Sequence, residues 1–184
     1  MKILALSDTH DKMARPLEVI NRIKDVDLII HCGDYYQDAI EISKEIGIEM
    51  VAVKGNCDGS YSSDDFKIVE TPYGKILVTH GHMDNVSMTL QNLHYKAQEN
   101  GCKVVVFGHT HKAYFEEVDG VYMINPGSLT MPRDGSGGTC AVFHALEDDF
   151  YGSILYYDVL TEDPKKKKVQ GGYLRGLLNY SDRF

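Results

Sequence analysis

Residues 51–60 read VAVKGNCDGS. The first half, Val51-Ala52-Val53, is apolar and β-branched. The second half, Lys54-Gly55-Asn56-Cys57-Asp58-Gly59, sets an amide, a thiol and a carboxylate between two glycines. A buried strand that opens at its carboxyl end into a loop has this form. The loop alone admits three readings: a tight turn, a metal site or a reactive cysteine. The same switch from apolar run to coordinating atoms recurs along the chain. Lys2–Leu6 runs into Asp8-Thr9-His10, and DLIIHCGD (27–34) ends in Gly33-Asp34. KILVTHGH (75–82) ends in His80-Gly81-His82, and CKVVVFGHTH (102–111) ends in Gly108-His109-Thr110-His111.

The segments between these runs set the fold class. Residues 14–24 carry Leu17, Ile20 and Ile23 at helical spacing, and 37–46 carry Ala39, Ile40, Ile42 and Ile46 with Gly47 as the stop. Strand, helix, strand, helix, strand points to parallel pairing with helices on the faces, an α/β protein. The second half is less regular. DFKIVETPYGKILVTHG (65–81) reads as a hairpin turning at Pro72-Tyr73-Gly74, and 86–100 as a helix stopped by Gly101. AYFEEVDGVYMINPGS (113–128) reads as a hairpin around Asp119-Gly120. GTCAVFHAL (138–146) and FYGSILYYDV (150–159) complete the strands.

Composition bounds the partners. The chain has 184 residues, 43% hydrophobic and 25% charged, with a net charge of -8. That balance suits one soluble domain with an appendage, and disfavours a grip on long nucleic acid or an anionic membrane. The four cysteines, at 32, 57, 102 and 140, are far apart, and the N-terminal apolar run is too short for a signal peptide. Both features imply reduced thiols in a cytoplasm. From residue 159 the character changes. TEDPKKKKVQGGYLRGLLNYSDRF (161–184) holds six basic and three acidic residues, with Tyr173, Leu174, Leu177, Leu178 and Tyr180 at helical spacing. Residues 1–158 are therefore expected as the domain and 159–184 as a tail for packing or a homo-oligomer contact.

The polar ends of five strands carry the chemistry. In open α/β sheets, sites form outside the carboxyl ends of strands. In extended backbone, residues i and i+2 point to the same side, which would let Asp8 with His10, and His109 with His111, share an ion. Asp8, Asp34 and Asn56 offer oxygen; His10, His80, His109 and His111 offer nitrogen. Seven ligands exceed one tetrahedral ion and suit two ions sharing a carboxylate. A mixed oxygen and imidazole set favours manganese, iron or zinc over calcium. Each piece alone has a plain structural reading: a histidine in a buried strand is usually a packed core residue. His31, His94 and His144 are read that way here, His94 as surface.

The motifs SDTHD, HCGD, KGNCDG, THGHMD and FGHTHKAYFEEVDGVYMINPGS, spread over residues 1 to about 158, resemble the calcineurin-like metallophosphoesterase superfamily. The closing NPGS resembles its small YfcE-type bacterial and archaeal phosphodiesterases. The resemblance implies a four-layer αββα sandwich, two mixed sheets flanked by helices. It implies Asp8, His10 and His111 on a first ion, Asn56, His80 and His109 on a second, and Asp34 bridging. It implies two divalent ions, most simply Mn2+, with Ni2+, Fe2+, Zn2+ or Mg2+ as other candidates, and hydrolysis of a small phosphodiester by a hydroxide held between them. Catalytic roles then fall to Asp34, Asn56, Cys57, Asp58 and His82. Asp58 orients neighbours, and His82 lies behind the site or faces substrate. Cys57 stands where many members carry a histidine that assists the transition state. A thiol is a weak donor without positive charge, so activated aryl diesters are the expected test substrates. Asn125, Ser128 and Arg133 are further candidates for touching substrate. The competing readings are a nuclease or cyclic-nucleotide phosphodiesterase, and a non-catalytic interaction module like the retromer scaffold.

Overall fold

The computed structural model describes residues 1–59 and 65–162. The elements run β1 (Lys2–Leu6), α1 (Ala14–Arg22), β2 (Leu28–His31), α2 (Tyr36–Ile46), β3 (Met50–Ala52), β4 (Phe66–Thr71) and β5 (Gly74–Thr79). They continue α3 (Gln91–Glu99), β6 (Cys102–Val106), β7 (Ala113–Val118), β8 (Val121–Pro126), β9 (Thr139–Ala145), β10 (Phe150–Tyr156) and α4 (Tyr157–Thr161). One sheet has the order β10-β9-β1-β2-β3 and the other β4-β5-β6-β8-β7. In the first, β1, β2 and β3 are parallel; in the second, β5, β6 and β8 are parallel. Antiparallel strands flank both trios.

Side-chain alternation stacks four layers. Ile3, Ala5, Leu28 and Ile30 of the first sheet pack against Ile76, Val78, Val104, Val106 and Ile124 of the second. The opposite face of the first sheet, through Leu4, Leu6, Ile29 and Val142, takes Val19 and Ile20 of α1 and Ile42 of α2. The outer face of the second, through Leu77, Val105 and Met123, takes Leu93 and Ala97 of α3. Each of these strands is apolar on both faces, because both faces are covered. Fully burying one such Val, Leu or Ile stabilises by roughly 1.5–3 kcal/mol. The αββα sandwich expected from the resemblance is the architecture found.

Local chemistry sets the boundaries. Asp119 and Gly120 adopt φ of 47° and 79°, the left-handed pair of a two-residue hairpin turn between β7 and β8. Two expected elements differ. The helix expected over 86–100 begins at Gln91. Residues 81–90 instead make turns in which Gly81 O accepts from Asp84 and Val86, and Thr89 Oγ1 receives the Gln91 N–H at 3.1 Å. The strand expected over 150–159 stops at Tyr156, where its partner β9 begins at Thr139. Without a ladder to continue, the chain turns into α4, and the Tyr157 N–H donates to Gly138 O. α4 lies on α1: the Tyr157 hydroxyl donates to Glu18 at 2.6 Å, and the Arg15 guanidinium sits 4.4 Å above the Tyr157 ring. The described chain thus crosses residue 158 inside a packed helix. The expected basic and aromatic tail lies, past Glu162, outside the described residues.

His31 joins two of the parallel loops from beneath. It is fully buried. Its Nδ1 accepts the Gly33 N–H at 3.3 Å, which leaves the proton on Nε2 to donate to Thr9 Oγ1 at 3.1 Å. A second proton on Nδ1 would face the Gly33 N–H. Burial pushes the imidazole down from 6.5 to about 4. The unfolded chain therefore takes up this proton before the folded one. The stabilisation is complete above the unfolded pKa of 6.5 and is lost as pH falls toward 4. Each tenfold weakening of proton binding is worth about 1.4 kcal/mol, so the loss reaches ~3 kcal/mol. His31→Gln removes the titration, so urea-unfolding stabilities of parent and variant should diverge in slope between pH 7 and 4. Parallel profiles would contradict this role.

Candidate metal centre

The carboxyl ends of β1, β2, β3, β5 and β6 converge, and the backbone there is left-handed rather than extended. Asp8 (φ 55°), His10 (49°), Asp34 (54°), His109 (68°) and His111 (56°) all have positive φ. This corrects the expectation that i and i+2 residues share an ion because the segments are extended: Asp8 and His10 meet through a tight left-handed turn, while His109 and His111 are separated, His111 lying with Asp8 and His10 and His109 with Asn56. Asp and His tolerate this region better than most residues, yet each instance costs of order 1–3 kcal/mol.

Clearance explains the glycines beside the ligands. A Cβ on Gly55 would run into Asp34 Oδ1, and one on Gly108 into Ser7 Oγ. Hydrogen bonds fix the loops. Asp34 Oδ1 accepts the Cys57 N–H at 2.9 Å, and Asp8 Oδ2 accepts the His109 N–H at 3.1 Å.

Two groups of donor atoms result. Asp8, His10, Asp34 and His111 each place one ligand atom so that all lie within 4.8 Å of one another. Beside them, Asn56 Oδ1 lies 2.9 Å from His109 Nδ1 and 3.2 Å from His80 Nε2, which is 3.4 Å from Asp34 Oδ1. All seven residues named from the sequence are therefore together, with Asp34 common to both groups.

The protons show what these groups fit. His111 Nδ1 donates to Met131 O at 2.7 Å, and His80 Nδ1 donates to Cys32 O at 2.7 Å. In the neutral rings the Nε2 atoms then hold lone pairs, and these point into the site. His111 Nε2 faces Asp8 Oδ1 at 3.1 Å and His10 Nε2 at 3.4 Å. Asp8 Oδ1 is buried and has no hydrogen-bond donor. Acceptors facing acceptors need a proton or a cation between them: a protonated His111 donates to Asp8 Oδ1, and a divalent ion also fits the four atoms of the first group. The proton responds to the same field. Burial alone would push His111 down, but the Asp8 hydrogen bond and charge raise it. Burial alone would raise Asp8, but His111 and His80 hold it below the ordinary carboxylate value. His10 and His109 are pushed down by burial, which keeps their lone pairs available near neutral pH.

The remaining candidates separate by position. Asp58 turns away from the cleft: its carboxylate accepts the Gly55 and Tyr36 N–H groups, both at 2.6 Å. It braces two loops and does not reach the donor groups through these bonds. Asn125 and Ser128 are wholly buried. The Asn125 amide donates to Gly108 O, and the Ser128 hydroxyl donates to Asp8 O. Both hold loops of the donor groups, and Asn125 also lines the cleft beside His109. Arg133 is exposed beside His111, whose O accepts its backbone N–H at 2.9 Å. His82 packs its ring 5.3 Å from that of His80 and 6.2 Å from that of His109. His94, expected on the surface, is half-buried. Cys57 is exposed, and its Sγ accepts from Asn56 Nδ2 at 3.4 Å. Burial of the thiol and the nearby Asp34 carboxylate push it up to about 11, so it stays protonated at neutral pH. Sequence reasoning missed Tyr35, whose ring lies 5.3 Å from that of His10. It also missed Thr130, whose hydroxyl hydrogen-bonds Asp8 O and Thr9 O. Adjacency to Asp34 was a signal for the first; nothing local marked the second.

Comparison with known proteins agrees with this geometry. The profile of the Calcineurin-like phosphoesterase superfamily domain matches residues 1–148. A probable metallophosphoesterase of Bacillus subtilis, YsnB, is 37% identical over 159 residues, 86% of this chain and 91% of its own. The phosphodiesterase MJ0936 of Methanocaldococcus jannaschii is 35% identical over 146 residues, 69% of this chain and 83% of its own. Vps29 of Entamoeba histolytica superposes with a TM-score of 0.70 over 85% of this chain and 99% of its own, at 19% identity, a likeness of fold.

A structure determined with metal added should show two ions roughly 3.5–4 Å apart with Asp34 between them. Asp34→Asn should retain the fold and bind less than two equivalents of metal by elemental analysis. Two equivalents held at parental affinity would remove Asp34 from the bridge.

Proposed function

We propose that this chain, which belongs to the calcineurin-like phosphoesterase superfamily, hydrolyses a small phosphodiester with two divalent ions bound at the converging loops. The observation that carries the reading is the pair of donor groups sharing Asp34, with lone pairs of Asp8, His111 and His80 directed inward. Bound ions would supply Lewis acidity toward the phosphoryl oxygens and an activated water. The chain supplies the rest. Asp8, His10 and His111 would hold one ion and Asn56, His80 and His109 the other, with the Asp34 carboxylate common to both. The Cys32 and Met131 carbonyls fix the imidazole tautomers. Manganese suits the mixed oxygen and nitrogen set.

The charge of the site favours a diester. Two divalent ions, two carboxylates and a hydroxide leave a single positive charge, which matches a monoanionic diester better than a dianionic monoester. The protonated, uncharged thiol of Cys57 adds no charge of its own. The departing oxygen then leaves without an imidazolium beside it, so its own acidity sets the rate. A nuclease acting on long nucleic acid is disfavoured by the net charge of -8. Four cysteines without disulfides accord with a cytoplasmic protein, and no described helix is long and apolar enough to cross a membrane.

The test is hydrolysis of bis(p-nitrophenyl) phosphate after loading with manganese. Turnover should appear with metal and vanish on chelation; turnover indifferent to chelation counts against the reading. Cys57→His should raise hydrolysis of p-nitrophenyl phosphate relative to the diester by at least about tenfold, a fraction of the ~10²–10⁴-fold that well-positioned acids supply. Cys57→Ser should change the diester rate little. A thousandfold loss in Cys57→Ser with both metals bound would make the thiol a nucleophile.

A further inference from the structure

A cleft of about 550 Å3 opens beside the second donor group, with the metal-ligand candidate His109 in its wall. Leu90, Phe107 and Tyr114 give it an apolar and aromatic side, and Lys112 and Arg133 also line it. In a chain of net charge -8 these two cations are notable for what they do not pair with. The lysine and arginine ion pairs among the described residues are Arg22–Glu18, Lys54–Asp65, Lys75–Glu70 and Lys96–Asp84. Neither Lys112 nor Arg133 is in one. The carboxylates nearest in sequence accept neutral donors rather than these cations. Asp134 accepts the backbone N–H groups of Ala113 and Ser136, and Glu116 accepts the Tyr114 hydroxyl. Backbone bonds fix where the cations start: the Lys112 N–H donates to Thr110 Oγ1, and the Arg133 N–H to His111 O. Both residues are thus tied to the loop that carries His109 and His111, and among the described residues neither charged end is in an ion pair; the Arg133 charge also acts on His10 and His111.

We infer that this cleft receives one arm of the substrate, that the arm has an apolar or aromatic body, and that it carries a second anionic group held by Lys112 and Arg133. This rests on the phosphodiesterase reading and names the substrate class within it. The scissile phosphate sits at the donor groups, the body of the arm lies against Leu90, Phe107 and Tyr114, and the second anion meets the two cations. An arm lacking that anion fills the apolar wall and leaves the cations solvated, so it gains less.

A matched pair of esters isolates the effect. Thymidine 5′-(p-nitrophenyl phosphate) and its 3′-phosphorylated form share the scissile bond and the nitrophenol readout, and differ only in a second phosphate on the arm. With the manganese-loaded protein, kcat/KM for the 3′-phosphorylated ester should exceed that for the other by about tenfold. The preference should fall to about one in Lys112→Ala/Arg133→Ala. Calorimetric binding of thymidine 3′,5′-bisphosphate and thymidine 5′-monophosphate gives the same comparison without turnover, and the double variant should lose the difference there too. Equal kcat/KM values or equal affinities in the parent overturn the inference, as does a preference that survives in the double variant. Failure to hydrolyse bis(p-nitrophenyl) phosphate would instead overturn the phosphodiesterase reading, with the binding comparison still deciding the cleft.

Discussion

Asp8 Oδ1 and His111 Nε2 lie 3.1 Å apart; with the His111 proton on Nδ1 committed to the Met131 carbonyl, the neutral ring turns a lone pair toward the carboxylate, and a second proton or a cation between them relieves the contact. His80 repeats the arrangement toward Asp34 and Asn56, its proton committed to Cys32. In a buried setting such contacts repel, and burying them unpaired costs free energy that packing elsewhere must offset. The site is therefore a set of acceptors assembled for cations. The fold's task is to hold those acceptors close when nothing in their own interactions favours it.

Much of the surrounding structure serves that end. Five ligands sit in left-handed backbone, and the loops carrying them are tied by buried polar groups. His31 links Thr9 to Gly33, Asp58 links Gly55 to Tyr36, Asn125 holds Gly108, and Ser128 and Thr130 hold Asp8. Each tie spans two loops, so none can relax alone. Beneath them, strands apolar on both faces anchor the loops to a core that is nearly incompressible. The strain at the rim is sustained by cohesion in the middle.

This division explains what was legible in the sequence. The strands were visible because runs such as Ile3–Leu6 and Val104–Val106 are buried on both faces, and burial on both faces removes polar residues. The ligands were visible because each stands where such a run stops. The conformation of the loops was not visible: Asp8 and His10 have the spacing of an extended pair and adopt left-handed turns, with Gly108 of another segment packed so close that a Cβ there would meet Ser7 and Asp8. The roles of Asn125 and Ser128 were hidden for the same reason, since their partners lie 17 and 120 residues away. The end of β10 was decided by where β9 begins, and the start of α3 by a turn folded around Gly81. Tertiary pairing settled these cases, and local propensity did not.

The distribution of positive charge around the donor groups connects the site to its neighbourhood. At Cys57 a position beside Asp34 and Asn56 holds a neutral thiol, so the β3 loop contributes no cation to the reacting group. The positive charge lies on the other side, where Arg133 and Lys112 stand on the loops around His109 and His111. A cation at the Cys57 position would act on the scissile group itself. Cations in a cleft beside it act on whatever the substrate carries further along. On the proposed reading, recognition of the further arm would draw on the cleft, while the Arg133 charge also acts on His10 and His111 beside the donor atoms. Interactions made equally in both states lower KM without raising kcat. On the proposed reading, the arrangement would trade catalytic reach over many esters for selection among them.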